Sequence, residues 1–221
     1  MTKYILCYGD SNTWGWDAER YDPKTDFKAR FNRDNRWTGR LQKLLGDDFY
    51  VIEEGLNGRT TNLDSPDPPD RNGKNYLPSC LYSHAPLNLV ILMLGGNDLK
   101  SIFHRSAKDA ADGLAELINI IQSSKYGADM QSPPSILIIG YPVITNDTLW
   151  DFKEEENLLK GASEKSKQFD FYFSALAHQY NCHYFNAAPY IHLSKIDGVH
   201  FDAEDHAVFA ELMAKEVRKI I

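Results

Sequence analysis

Three short polar turns, each following an apolar run, hold the residues of this chain best suited to acyl-transfer chemistry. They are Gly9-Asp10-Ser11, Leu56-Asn57-Gly58-Arg59 and Gly95-Gly96-Asn97-Asp98. A fourth segment, Asp197-Gly198-Val199-His200, precedes the last helical pattern. A serine hydroxyl becomes an effective nucleophile once a base takes its proton. His200 is the base offered to Ser11. Asp197, three residues earlier, can hold the other ring N–H, fix the tautomer and stabilise the imidazolium. Attack on a carbonyl creates an oxyanion, which needs donors aimed at it. The candidates are the backbone N–H of Ser11, that of Gly58 and the side-chain amide of Asn97. Each piece alone has a plainer reading: Asp and Ser cap helices, Asn and Asp shape turns, and a lone histidine packs or faces solvent. Together they supply every part of an acyl-transfer site.

These turns need elements that bring them together. Tyr4 to Tyr8, Phe49 to Ile52, Leu89 to Leu94, Ile136 to Gly140 and Cys182 to Phe185 read as strands. Helical patterns alternate with them. Trp37, Leu41, Leu44 and Leu45 recur at helical spacing before Gly46, and Asn75 to His84 forms a short helix. Ser106 and Asp109 resemble a capping box ahead of a stripe of Ala110, Leu114, Leu117, Ile118 and Ile121. A helix is expected from about Glu156 to Tyr180, with Phe169, Phe173, Leu176 and Ala177 inward. Asp202 caps the last, with Val208, Phe209, Leu212, Met213 and Val217 buried. Alternation of this kind predicts an α/β fold: a three-layer α/β/α sandwich around a flavodoxin-like, five-stranded parallel sheet. In such sheets ligands bind at the carboxyl ends of the strands, where the polar turns fall. The polar segments 17–36 and 141–155 are long loops of the kind that serve function or subunit contacts.

Composition narrows the partners. The 221 residues carry a formal net charge of −7 and form one domain spanning 1–221. That charge argues against nucleic acid and anionic membrane surfaces. The apolar runs are strand-length, too short to span a bilayer. Met1-Thr2-Lys3 leads straight into the first strand with no room for a signal peptide, so a cytoplasmic protein is expected. Asn146-Asp147-Thr148 then reads as a chance glycosylation match. Cys7, Cys80 and Cys182 are odd in number and widely spaced, as for reduced thiols and not for a disulfide frame or zinc site. No metal or cofactor is expected.

Gly9-Asp10-Ser11, Gly58, Gly95-x-Asn97-Asp98 and Asp197-x-x-His200 resemble the four sequence blocks of the SGNH (GDSL) hydrolases, in order and over nearly the whole chain. The resemblance implies the SGNH hydrolase fold, with Ser11 as nucleophile, Asp197 and His200 completing a triad, and Ser11, Gly58 and Asn97 forming the oxyanion hole. Trp14-Gly15-Trp16, Arg36-Trp37-Thr38-Gly39, Glu53-Glu54-Gly55-Leu56, Arg59-Thr60-Thr61 and Tyr76-Leu77-Pro78-Ser79-Cys80 are similar to the bacterial arylesterase/acyltransferase branch. That branch implies small acetyl and other short acyl esters as substrates. It also implies acyl transfer to alcohol or peroxide in some members, and a homo-oligomer, in some members an octamer. Asn12 stands where the family name has leucine. Asn57-Gly58 replaces the branch's usual Ser-Ala, a change that bears on acyl-pocket size and acceptor preference.

Asn12, Trp14, Trp16 and Asn57 are the candidate substrate-binding residues. Trp14 and Trp16 serve equally well as anchors for the 17–36 loop. Asp10 and Asp98 are expected to bond local backbone N–H groups. Arg59 is expected to pair with Glu53, Glu54 or Asp10. His206 is expected to point to solvent, and the remaining histidines are assigned no chemistry. The Glu154-Glu155-Glu156 run reads as a solvated helix start. Two other functions fit parts of the pattern. A metal-dependent phosphoesterase would use Gly-Asp and Gly-Asn-Asp turns, but needs histidines within them. A nucleotide-binding module would need a glycine-rich phosphate loop that is absent here.

Overall fold

The computed structural model describes residues 2–22, 24–66, 68–145 and 158–221. The first apolar run is strand β1 (Lys3–Gly9), followed directly by a one-turn helix α1 (Ser11–Trp14). Next come α2 (Trp37–Leu45), β2 (Phe49–Gly55), α3 (Gly73–His84) and β3 (Leu89–Met93). Then follow α4 (Ala107–Gln122), β4 (Ser135–Gly140), α5 (Ala162–Ser166), α6 (Phe169–Gln179), β5 (His183–Asn186) and α7 (Ala203–Ile220). All five strands are parallel, in the order β2-β1-β3-β4-β5. α2 packs with α7, while α4 packs with α3 and α6, giving the sandwich expected.

Strand order reverses direction between β1 and β3, so a crevice opens outside their carboxyl ends. Ser11 follows β1 and Asn97 follows β3. The two residues therefore meet because of topology, although they are distant in sequence. Every side chain of β3 is buried, as a central strand requires. Capping boxes start α4, through Ser106 and Asp109, and α7, through Asp202 and Asp205. Each contributes on the order of 1 kcal/mol.

Some helical details differ from the sequence pattern. α2 buries Trp37, Leu41 and Leu45, a strict four-residue stripe, and leaves Leu44 beside it 46% exposed. Val208 likewise falls off the buried face of α7. The single helix expected over 156–180 is two, parted at Lys167 and Gln168, and Gly161, with φ +78°, caps the start of the first. The 146–148 acceptor, the Glu154–Glu156 run and most of the 141–155 loop lie outside the described residues.

The 17–36 segment returns to its own start. Trp16 bridges Arg30, the Phe31 N–H donates to the Gly15 carbonyl, and the Arg30 guanidinium covers the Trp14 ring at 4.8 Å. Beneath it, β2 and α1 approach so closely that a Cβ on Gly55 would lie 2.1 Å from Trp14 N and 2.6 Å from Thr13 C. Backbone atoms cannot yield as a flexible side chain can. Gly55→Ala should therefore cost about 1–3 kcal/mol and displace the turn that bears Ser11. A denaturant midpoint equal to that of the parent chain would contradict this packing.

Candidate active site

Ser11 Oγ lies 2.8 Å from His200 Nε2, and His200 Nδ1 lies 2.6 Å from Asp197 Oδ2. The other Asp197 oxygen accepts the backbone N–H groups of Val199 and His200, both at 3.0 Å. Burial works to raise the Asp197 carboxyl. The His200 charge, its ring hydrogen bond and the two backbone donors outweigh burial and hold the carboxyl below the usual range. Asp197 is thus an anion aimed at an imidazole that is aimed at a hydroxyl.

What fixes His200 is Asn12. Its side-chain amide donates to the Val199 carbonyl at 3.1 Å, and its oxygen accepts the Phe201 N–H at 2.8 Å. The residue after the serine therefore clamps the chain on both sides of His200. The Asn12 amide also donates to the Tyr141 hydroxyl at 2.7 Å, and the side chain is buried. The expectation that Asn12 binds substrate is corrected: its polar atoms are spent on the protein. Trp16 supports the same histidine, its ring stacked on the imidazole at 5.1 Å and 23°. Trp16 and Trp14 also anchor the 17–36 loop, so the anchoring role holds for both.

The three turns are fastened to one another. The Gly9 carbonyl accepts from Leu56 N at 3.2 Å and from the Arg59 guanidinium at 3.0 Å. That guanidinium also donates to the Glu54 carbonyl and lies 4.1 Å over the Tyr8 ring. Arg59 was expected in a carboxylate pair; instead it ties backbone carbonyls together, and Arg36 holds Glu53. Asp98 also departs from expectation. Its carboxylate accepts the N–H of Thr61 at 3.0 Å and the Thr61 hydroxyl at 2.5 Å, so it locks the third turn to the second. Burial pushes Asp98 up to about 6. Asp10 does cap its own turn, accepting Asn12 N at 3.0 Å, and burial pushes it up to about 6 as well.

The proposed oxyanion donors belong to these fastened turns. The Asn97 amide donates to the Arg59 carbonyl at 3.2 Å and lies 3.5 Å from Asp10 Oδ2. Gly58 is the third residue of a turn closed by Arg59 N donating to the Leu56 carbonyl at 3.0 Å. Its φ of +77° demands glycine, whereas a Cβ there would meet nothing nearer than 3.7 Å. Conformation, not close approach, selects the residue. Neither the Ser11 nor the Gly58 backbone N–H donates to another described residue. Asn57, beside Gly58, keeps a buried side-chain oxygen without a partner among the described residues.

His206, expected in solvent, is fully buried. Its Nδ1 accepts the Trp37 N–H at 3.2 Å, which a protonated ring could not do. Burial, followed by the charge of Arg40, lowers it to about 3. An unfolded chain takes up a proton near an ordinary imidazole pKa of about 6.5, which the folded chain refuses. Relative to a His206→Gln chain, stability should fall as pH drops from about 6.5 toward about 3. NMR titration should find the His206 ring neutral through that window; a midpoint near 6.5 would contradict it.

The sequence reading missed Tyr141 and the Asn12 clamp. Tyr141 follows β4 at the ligand-binding edge and is buried behind Asn12, and that position was its signal.

The model of the GDSL-like lipase/acylhydrolase family matches residues 7–208. The native aryl esterase of M. smegmatis is 37% identical over the full length of both chains, with a TM-score of 0.91. Est24, a carbohydrate acetylesterase from Sinorhizobium meliloti, is 35% identical over the full length of both, at 0.90. A putative arylesterase from Agrobacterium tumefaciens str. C58 is 32% identical over both full lengths, at 0.86. No curated protein matches the chain. Among the described residues, no helix is long and apolar enough to cross a membrane.

Proposed function

The chain belongs to the GDSL-like lipase/acylhydrolase family, and from that premise we propose that it cleaves short-chain acyl esters through an acyl-enzyme on Ser11. His200 takes the Ser11 proton as Oγ attacks the ester carbonyl, and Asp197 stabilises the imidazolium. The negative oxygen of the tetrahedral intermediate is held by the N–H groups of Ser11 and Gly58 and the amide of Asn97. Collapse expels the alcohol, protonated by His200. Water then attacks the acyl-enzyme by the same route in reverse and releases the acid. The carrying observation is the unbroken chain from Ser11 Oγ to His200 at 2.8 Å and on to Asp197 at 2.6 Å.

The acyl group is short and the alcohol is aryl or carbohydrate, in keeping with the aryl esterase and carbohydrate acetylesterase to which the chain is similar. Alcohol or peroxide replaces water as a secondary acceptor. The working form is a homo-oligomer in which the 17–36 loop contributes to the wall of the pocket. Profiling aryl esters of increasing acyl length, with and without added alcohol, tests this. Acetate should be cleaved fastest, and alcohol should divert product from acid to new ester. Faster cleavage of long chains would overturn the short-acyl reading, and product unaffected by alcohol would overturn the transfer.

A further inference from the structure

Glu54, Cys80 and His84 stand apart from the Ser11 machinery, yet they bring a carboxylate, a thiol and an imidazole to one point. Their ligand atoms all lie within 4.8 Å of one another. Cys80 and His84 are four residues apart in α3, a spacing that puts both on one helix face. Glu54 is the penultimate residue of β2 and reaches across, its Oε1 lying 2.8 Å from His84 Nε2. Cys80 is buried, whereas the Glu54 and His84 side chains are 18% and 30% exposed. An ion can therefore arrive from solvent without opening the core. Glu54, alone of the three, also lines a cavity of about 500 Å³ with Tyr76, Asn75 and Asp70.

We propose that Glu54, Cys80 and His84 form a binding site for zinc or a zinc-like divalent ion. Thiolate with imidazole suits zinc and disfavours magnesium and calcium, which take oxygen ligands. Tetrahedral bonds of about 2.0–2.3 Å set ligand separations of roughly 3.3–3.7 Å. Glu54 and His84 must part slightly, and Cys80 must turn toward them. Binding replaces the direct Glu54–His84 hydrogen bond with two metal bonds, and the Cys80 thiol gives its proton to the buffer. Thiolate and carboxylate together cancel the dication, so the loaded site is neutral; the dication gained less the thiol proton lost adds one positive charge near Arg59, whose guanidinium lies 4.1 Å over the neighbouring Tyr8 ring. The Tyr76 hydroxyl donates to the same Glu54 oxygen at 3.4 Å and orients it. An ion here would pin the end of β2 to α3, just ahead of the turn that holds Gly58. The site is independent of the proposed hydrolysis.

Cobalt(II) titration of the metal-free full-length chain tests this. A thiolate-to-cobalt charge-transfer band should grow to a one-to-one endpoint and vanish when zinc is added. Cys80→Ser should abolish the band, and Cys182→Ser, which removes the half-exposed thiol, should keep it. His84→Ala and Glu54→Gln should each weaken binding about 10-fold or more. No band, or a band kept in Cys80→Ser and lost in Cys182→Ser, would overturn the site. If Cys80→Ser does not fold, the other two variants decide: affinity unchanged in both overturns it.

Discussion

Ser11→Ala should lower ester hydrolysis by about 10⁴-fold or more while leaving the fold intact. The Ser11 hydroxyl bonds to His200 and to no other described side chain, and the helix it starts is capped by Asp10. Removing the oxygen takes away the nucleophile without orphaning a structural partner. His200 keeps its place, because Asn12 clamps Val199 and Phe201 and Trp16 stacks on the ring. The measurement is kcat/KM on an aryl acetate beside the thermal midpoint. Retained activity with an unchanged midpoint would refute the nucleophile.

Asn97→Ala should lower kcat by about 10²–10³-fold, the usual loss for one oxyanion donor. KM should change far less, because the donor is needed where charge develops and not in the bound ester. The same amide also donates to the Arg59 carbonyl, so a modest fall in thermal midpoint should accompany the loss. Asn97→Asp is the second variant, and it loses the oxyanion donor and the bond to the Arg59 carbonyl together. It keeps the size of the side chain but removes the donor, and it should be as inactive as the alanine variant. Activity retained in either variant would contradict Asn97 as an oxyanion donor.

The parts of the site that the sequence made legible were those joined by topology. Ser11 and Asn97 follow β1 and β3, and parallel order alone brings those ends together. Asp197 and His200 were legible because one turn suffices for their contact. The fold was read from apolar runs long enough to be unambiguous, and Leu44 and Val208 were misplaced because helical spacing alone does not fix the edge of a buried face. Asn12 was misread for a different reason. Its partners at Val199 and Phe201 lie at the far end of the chain, and no local pattern reports a hydrogen bond of that span. His206 looked solvent-facing by helix position, but Trp37 from α2 supplies the N–H that makes a neutral, buried ring favourable. Arg59 and Asp98 failed similarly: each was given a nearby carboxylate or amide, and each instead fastens one polar turn to another.

Covalent trapping is the direct test of Ser11 as the nucleophile. An aryl fluorophosphonate should label the chain once, with loss of hydrolysis in proportion to labelling. Peptide mass spectrometry should place the adduct on Ser11, and Ser11→Ala should take up none. An adduct on another residue, or full hydrolysis by a chain whose Ser11 is labelled, would contradict it.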